Sequence, residues 1–178
     1  MARPVEVYGG LHCAFNNAGV LPSTAPIVEQ DEAMFDRVIA IDLKGRSSLP
    51  QVPDTAHGRT GGGAIVNTTS IVGVIADPGM APYVAAKHAV IGLTKAVAID
   101  HAKDGIGVNA LAPGEVETPI TRRWLDGPSM RQTVMAGPFL GRAAEPDEMT
   151  GIVLYLCSPL ASFAMGQTFI IDGGQTAH

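Results

Sequence analysis

Three side chains have types and spacing suited to moving a proton. Tyr83 and Lys87 stand four residues apart, and such positions are neighbours on one helix face. A free tyrosine hydroxyl titrates near pH ~10 and is a poor base at neutral pH. An ammonium held beside it stabilises the phenolate and brings that value down. Ser70 closes the run Asn67-Thr68-Thr69-Ser70, thirteen residues before Tyr83. Two other segments, Asn16-Asn17-Ala18-Gly19 and Pro113-Gly114-Glu115-Val116-Glu117-Thr118-Pro119, have the makeup of turns that follow strands. Taken singly, the tyrosine–lysine pair reads as an ordinary helix surface and the Pro-Gly step as punctuation. Their order along one chain carries more.

The elements that must position these residues are legible from periodicity. Short apolar runs at Leu11–Phe15, Ala64–Asn67, Ile106–Leu111 and Thr168–Ile171 read as buried strands. Helical spacing covers Asp31–Gly45, with acidic residues at its start and Gly45 at its end, and about Pro82–Ala102, with Pro82 in the first turn. A further helix is expected around Glu145–Leu156. On the long helix, Val84, Ala85, His88, Ala89, Gly92, Ala96 and Ile99 form a face of mostly small residues, as close packing against a neighbour requires. Strands alternating with such helices predict a parallel α/β sheet in a single domain, residues 1–178. Right-handed crossovers place the strand C-termini on one edge, where ligands bind in open α/β sheets. Asn16, Ser70 and Pro113 are expected to meet there.

Composition narrows the function classes. Twelve Lys and Arg against seventeen Asp and Glu give a net charge of −5, which argues against a nucleic-acid or anionic-membrane surface. Two cysteines and five histidines without metal-ligand spacing argue against a zinc site, so no metal is expected. No apolar run reaches the roughly 18 residues of a membrane span, and the first ten residues lack a signal-peptide pattern. A cytoplasmic location is the expectation. Ser70 lacks the Gly-x-Ser-x-Gly surroundings of a hydrolase nucleophile, and Gly61-Gly62-Gly63 precedes a strand instead of following one.

Together, the Asn16–Gly19 segment, the Ser70–Tyr83–Lys87 set and the Pro113–Thr118 stretch resemble the classical short-chain dehydrogenase/reductase family across almost the whole chain. The resemblance implies a partial Rossmann-type doubly wound sheet, corresponding to the family's fourth to seventh strands. It also implies hydride transfer between NAD or NADP and an alcohol or carbonyl. Tyr83 would be the general acid/base. Lys87 would lower its pKa and bind the nicotinamide ribose, and Ser70 would hold the substrate oxygen. Cofactor contacts would come from Asn16, Ala18, Gly19, Tyr83, Lys87, Pro113, Gly114, Val116 and Thr118. The stretch from Thr121 to Phe139, with Trp124, Met130 and Met135, corresponds to the family's variable lid; these three side chains are read as packing residues without a catalytic role. Family members commonly form homo-oligomers through the helices around 42–60 and 82–102 and the last strand.

Three departures from the family pattern stand out. The chain has no glycine-rich βαβ unit of the kind that holds a pyrophosphate at a helix N-terminus, so an N-terminally truncated member is expected, with its first strand as an open edge. The rival expectation is a catalytically silent chain that binds cofactor poorly and acts, if at all, by association. Next, Arg46–Thr60 contains Pro50 and Pro53 where the family has an amphipathic helix, and an interior proline costs about 3 kcal/mol. Reading Ser48–Arg59 one nucleotide later through permitted codons can restore a family-like helix, which points to paired compensating frameshifts; resequencing the DNA tests this. Finally, Asp42 stands where the family usually has Asn. Its charge would partly offset Lys87, so Asp42→Asn is expected to raise activity near neutral pH.

Overall fold

The computed structural model describes residues 6–45 and 62–178; Arg46–Thr60 lies outside them. Four parallel strands form one sheet in sequence order: β1 (Cys13–Asn16), β2 (Gly63–Thr68), β3 (Ile106–Pro113) and β4 (Thr168–Ile171). Between them lie α1 (Glu32–Val38), α2 (Ala81–His101), α3 (Arg122–Leu125), α4 (Pro128–Met135) and α5 (Thr150–Leu156). All four expected strands are present, and β3 runs two residues past Leu111. Its terminal Pro113 is tolerated because the pairing ends there, with the Gly114 N–H donating to Ile171 O at 3.0 Å. Among the described residues β1 pairs only with β2, and Phe15 on it is 44% exposed.

The sheet is apolar on both faces, as parallel strands covered by helices must be. Alternation along β2 sends Ile65 to one side, packed with Val108 and with Ala98 of α2. Val66 goes to the other, with Leu111 and with Met149, Leu156 and Ala161. Two amides and a threonine inside this core are hydrogen-bonded to one another. Asn16 on β1 donates to Asn67 Oδ1 at 2.8 Å, and Asn67 donates to Thr94 Oγ1 of α2 at 3.0 Å. Buried amides of this kind are stabilising only when satisfied.

Two helices depart from their expected form. The segment expected as one helix over Asp31–Gly45 is capped by Asp31, which accepts from the Ala33 N–H at 3.1 Å, and is α-helical only to Val38. Ile39–Lys44 then winds as a π-helix that carries the fully buried Asp42. On α2 the small-residue face is turned outward: Ala85, His88, Gly92 and Ala96 are exposed and Ile99 is 76% exposed. The inward face is Pro82, Ala86, Val90, Thr94 and Ala98, an unbroken i, i+4 row. Small residues occur on both sides of this helix, so size did not distinguish the buried one.

The close approach between α2 and the turn after β2 is made at Gly73. The Thr69 hydroxyl donates to Lys87 O at 2.8 Å, and a Cβ at Gly73 would lie 2.5 Å from Thr69 Oγ1 and 2.9 Å from Lys87 O. Gly73→Ala is therefore expected to destabilise the fold by about 1–3 kcal/mol, as overpacked sites do. An unchanged denaturation midpoint would refute this.

Candidate active site

Parallel pairing in the register Asn16↔Asn67 and Thr68↔Leu111 aligns the C-terminal strand ends. Asn16, Ser70 and Pro113 therefore meet at one edge, as expected. Ser70 leaves β2 in an extended conformation and caps the short 3-10 turn Ile71–Gly73, its hydroxyl accepting from the Val72 N–H at 3.4 Å. Tyr83 lies in the first turn of α2. Ser70 and Tyr83 line the same cavity of about 420 Å³.

Lys87, one helical turn beyond Tyr83, is only 2% exposed. Its Nζ lies 5.1 Å from the centre of the Tyr83 ring, donates to Thr68 O at 3.2 Å and pairs with Asp42 Oδ2 at 3.4 Å. The other Asp42 oxygen accepts from the Val20 N–H at 2.8 Å. The turn at Gly19 is tight against this carboxylate, since a Cβ there would sit 3.3 Å from Asp42 Oδ2. A chain of contacts thus runs from the Val20 N–H, just past the Asn16–Gly19 segment, through Asp42 and Lys87 to the Tyr83 ring. The π-helical turn supplies the buried carboxylate, and such turns often occur at functional sites.

The Pro113–Thr118 stretch continues along the same edge. Gly114 is wedged against the residue that follows β4, where a Cβ would lie 2.8 Å from Asp172 Cα. Val116 forms an isolated parallel bridge with Ala144, and its carbonyl accepts from the Thr121 hydroxyl at 2.6 Å. The Thr118 hydroxyl lies 3.1 Å from Thr121 Oγ1. Trp124 and Met130, expected only to pack, also line the cavity, whereas Met135 does not. No group of three or more potential metal ligands occurs among the described residues.

Sequence reasoning assigned no role to Glu115 or Asp77, yet both line the cavity. The available signal was a carboxylate directly after a Pro-Gly step at a strand's C-terminal end. Burial, reinforced by the nearby Asp77 carboxylate, pushes Glu115 up to about 7, and burial also raises Asp77. A carboxyl that binds its proton more tightly when folded weakens the fold as pH rises from its unfolded value through the folded one. Here that window runs from 4.5 to about 7. Glu115→Gln should therefore melt higher than the parent at pH 8 and equally at pH 4. With solvent reaching part of the group, the gain at high pH is about 1–2 kcal/mol. Parallel melting curves across the pH range would contradict this assignment.

A family profile described as enoyl-(acyl carrier protein) reductase matches residues 1–176. Cyclohexanol dehydrogenase of an Acinetobacter species is 38% identical over 97% of this chain and 67% of its own length. The chain belongs to the short-chain dehydrogenase/reductase family. This is a family of oxidoreductases, and the four parallel strands are part of its Rossmann-type sheet. The 3-oxoacyl-[acyl-carrier-protein] reductase of Thermotoga maritima is also 38% identical, over 97% of this chain and 69% of that protein. Among solved structures, a gluconate 5-dehydrogenase from Burkholderia cenocepacia in complex with NADP and tartrate superposes with a TM-score of 0.93 at 31% identity, covering 99% of this chain and 69% of that one. The chain thus spans about two thirds of the length of such relatives.

Among the described residues, no helix is long and apolar enough to cross a membrane.

Proposed function

We propose that the chain is an NAD- or NADP-dependent oxidoreductase acting on a small alcohol or carbonyl compound. The observation that carries this reading is the convergence of Ser70 and Tyr83 on one cavity, with the Lys87 ammonium beside the Tyr83 ring. When bound, the nicotinamide cofactor supplies the hydride acceptor or donor. Tyr83 takes a proton from the substrate hydroxyl in oxidation and returns one to the carbonyl oxygen in reduction. Lys87 favours the phenolate electrostatically, and the Ser70 hydroxyl donates to the substrate oxygen and orients it. Such proton transfer contributes typically ~10²–10⁴-fold, with alignment of the reactants supplying much of the rest.

The residues at the sheet edge fit a dinucleotide in kind: backbone at Gly19 and Gly114, the Asn16 turn and the Thr118 hydroxyl. Asn16 gives its side-chain amide to Asn67, so its part in cofactor binding is to shape the turn and to offer backbone groups. The deciding experiment is titration of the purified chain with NADH and NADPH by fluorescence or calorimetry, followed by turnover on simple alcohols. Saturable binding with turnover supports the enzyme. Absence of binding at millimolar cofactor supports the silent reading.

A further inference from the structure

The cavity that holds Ser70 and Tyr83 has an uneven lining. Leu21, Ile71, Met80, Ile120, Trp124 and Met130 give it apolar walls. Its charged lining groups are Asp77 and Glu115, and no Lys, Arg or His lines it among the described residues. Glu115 Oε1 is fully buried there and has no hydrogen-bond partner among the described residues. A buried carboxyl oxygen without a partner is costly. The nearby Asp77 raises that cost, because like charges oppose each other. Glu115 lines the cavity, so a substrate group that draws its carboxylate toward the cavity and donates a hydrogen bond to it would remove the penalty.

We propose that Glu115 is a specificity-determining residue, and that the substrate is an alcohol or ketone on an apolar, ring-sized body that carries a second hydroxyl donating to Glu115 and bears no carboxylate. This rests on the reaction proposed above and names its substrate class. The cavity volume of about 420 Å³ suits a ring with few substituents beside the nicotinamide. A carboxylate-bearing compound would add negative charge beside Asp77 and Glu115, with no cation in the lining among the described residues. A plain alcohol would fit but leave Glu115 unpaired, and sites built to hydrogen-bond a hydroxyl discriminate against analogues lacking it.

The test compares cyclohexanol, a cyclohexanediol and cyclohexanecarboxylate with the full chain and two variants. Binding is read by saturation-transfer NMR, and oxidation of the two alcohols by NAD(P)H formation. The parent is expected to favour the diol over cyclohexanol by about 10–100-fold, the range of a charged hydrogen bond, and to reject the carboxylate. Glu115→Leu should compress the diol preference to within about threefold, because a tenfold change requires ~1.4 kcal/mol of differential binding. Glu115→Gln, which keeps an acceptor but not the charge, should retain a reduced preference of about 3–10-fold, the range of a neutral hydrogen bond, and admit the carboxylate. A preference unchanged in Glu115→Leu overturns the proposal, as does a parent that binds all three compounds alike. Absence of turnover on either alcohol counts against the reaction assigned above, while the order of binding still decides the role of Glu115.

Discussion

Tyr83→Phe is expected to lower kcat by at least about 10²–10⁴-fold, the usual contribution of a positioned acid/base, while leaving folding and cofactor affinity close to the parent's. The substitution removes one oxygen and keeps the ring beside which the Lys87 ammonium lies at 5.1 Å. The cation–ring contact and the packing of the first turn of α2 are therefore retained. With no hydroxyl at this position, the substrate oxygen must exchange its proton with water. The measurement is steady-state turnover alongside cofactor titration and a thermal melt. A variant with native stability and more than a tenth of the parental kcat would remove Tyr83 from the reaction, and with it the proposed mechanism.

The second large effect is expected at Asp42. Its carboxylate is fully buried and pairs with Lys87 at 3.4 Å, so the field that the ammonium exerts on the Tyr83 hydroxyl is partly cancelled. Asp42→Asn removes that opposing charge and can still accept from the Val20 N–H, which the aspartate does at 2.8 Å. The phenolate is then favoured more strongly. For the oxidation direction, the limb of the pH–rate profile that requires the phenolate should move to lower pH. A movement of one unit gives up to a tenfold gain at neutral pH. The same change separates a buried ion pair. Removal of one partner from such pairs typically costs about 3–5 kcal/mol, offset here in part because Lys87 keeps Thr68 O at 3.2 Å. The variant should thus be faster at neutral pH and less stable. Equal or lower rates at matched folding, with an unmoved profile, would show that Asp42 does not act through Lys87.

Much of the architecture was readable because parallel strands buried on both faces leave short apolar runs, and because Ser70, Tyr83 and Lys87 stand at spacings that strand and helix geometry convert into proximity. The nearness of the Asp42 charge to Lys87 was also anticipated, from the resemblance to the family, while the pairing itself was not. What escaped the reading depended on tertiary context. Nothing local in Ile39–Lys44 announces a π-helix, since that winding turns on where Asp42 must point. Which side of α2 packs on the sheet was not read, because alanine and glycine populate both sides. Glu115 was hidden inside a turn motif whose glycine and proline drew the attention. The altered segment Arg46–Thr60 lies outside the described residues, so the frameshift hypothesis rests on DNA sequencing alone.

The amide pair joining β1 to β2 has a consequence for how the sheet can assemble. Asn16 is directly opposite Asn67 and bonded to it at 2.8 Å, and Asn67 is in turn fixed to Thr94 of α2. Sliding β1 by one position would rotate every side chain on it through half a turn. Phe15 would then confront the polar groups, and the buried Asn67 amide would lose its partner. The pair works as an alignment peg: it makes a misthreaded outer strand energetically conspicuous, and so keeps the mouth of the site in register with the helix beneath it.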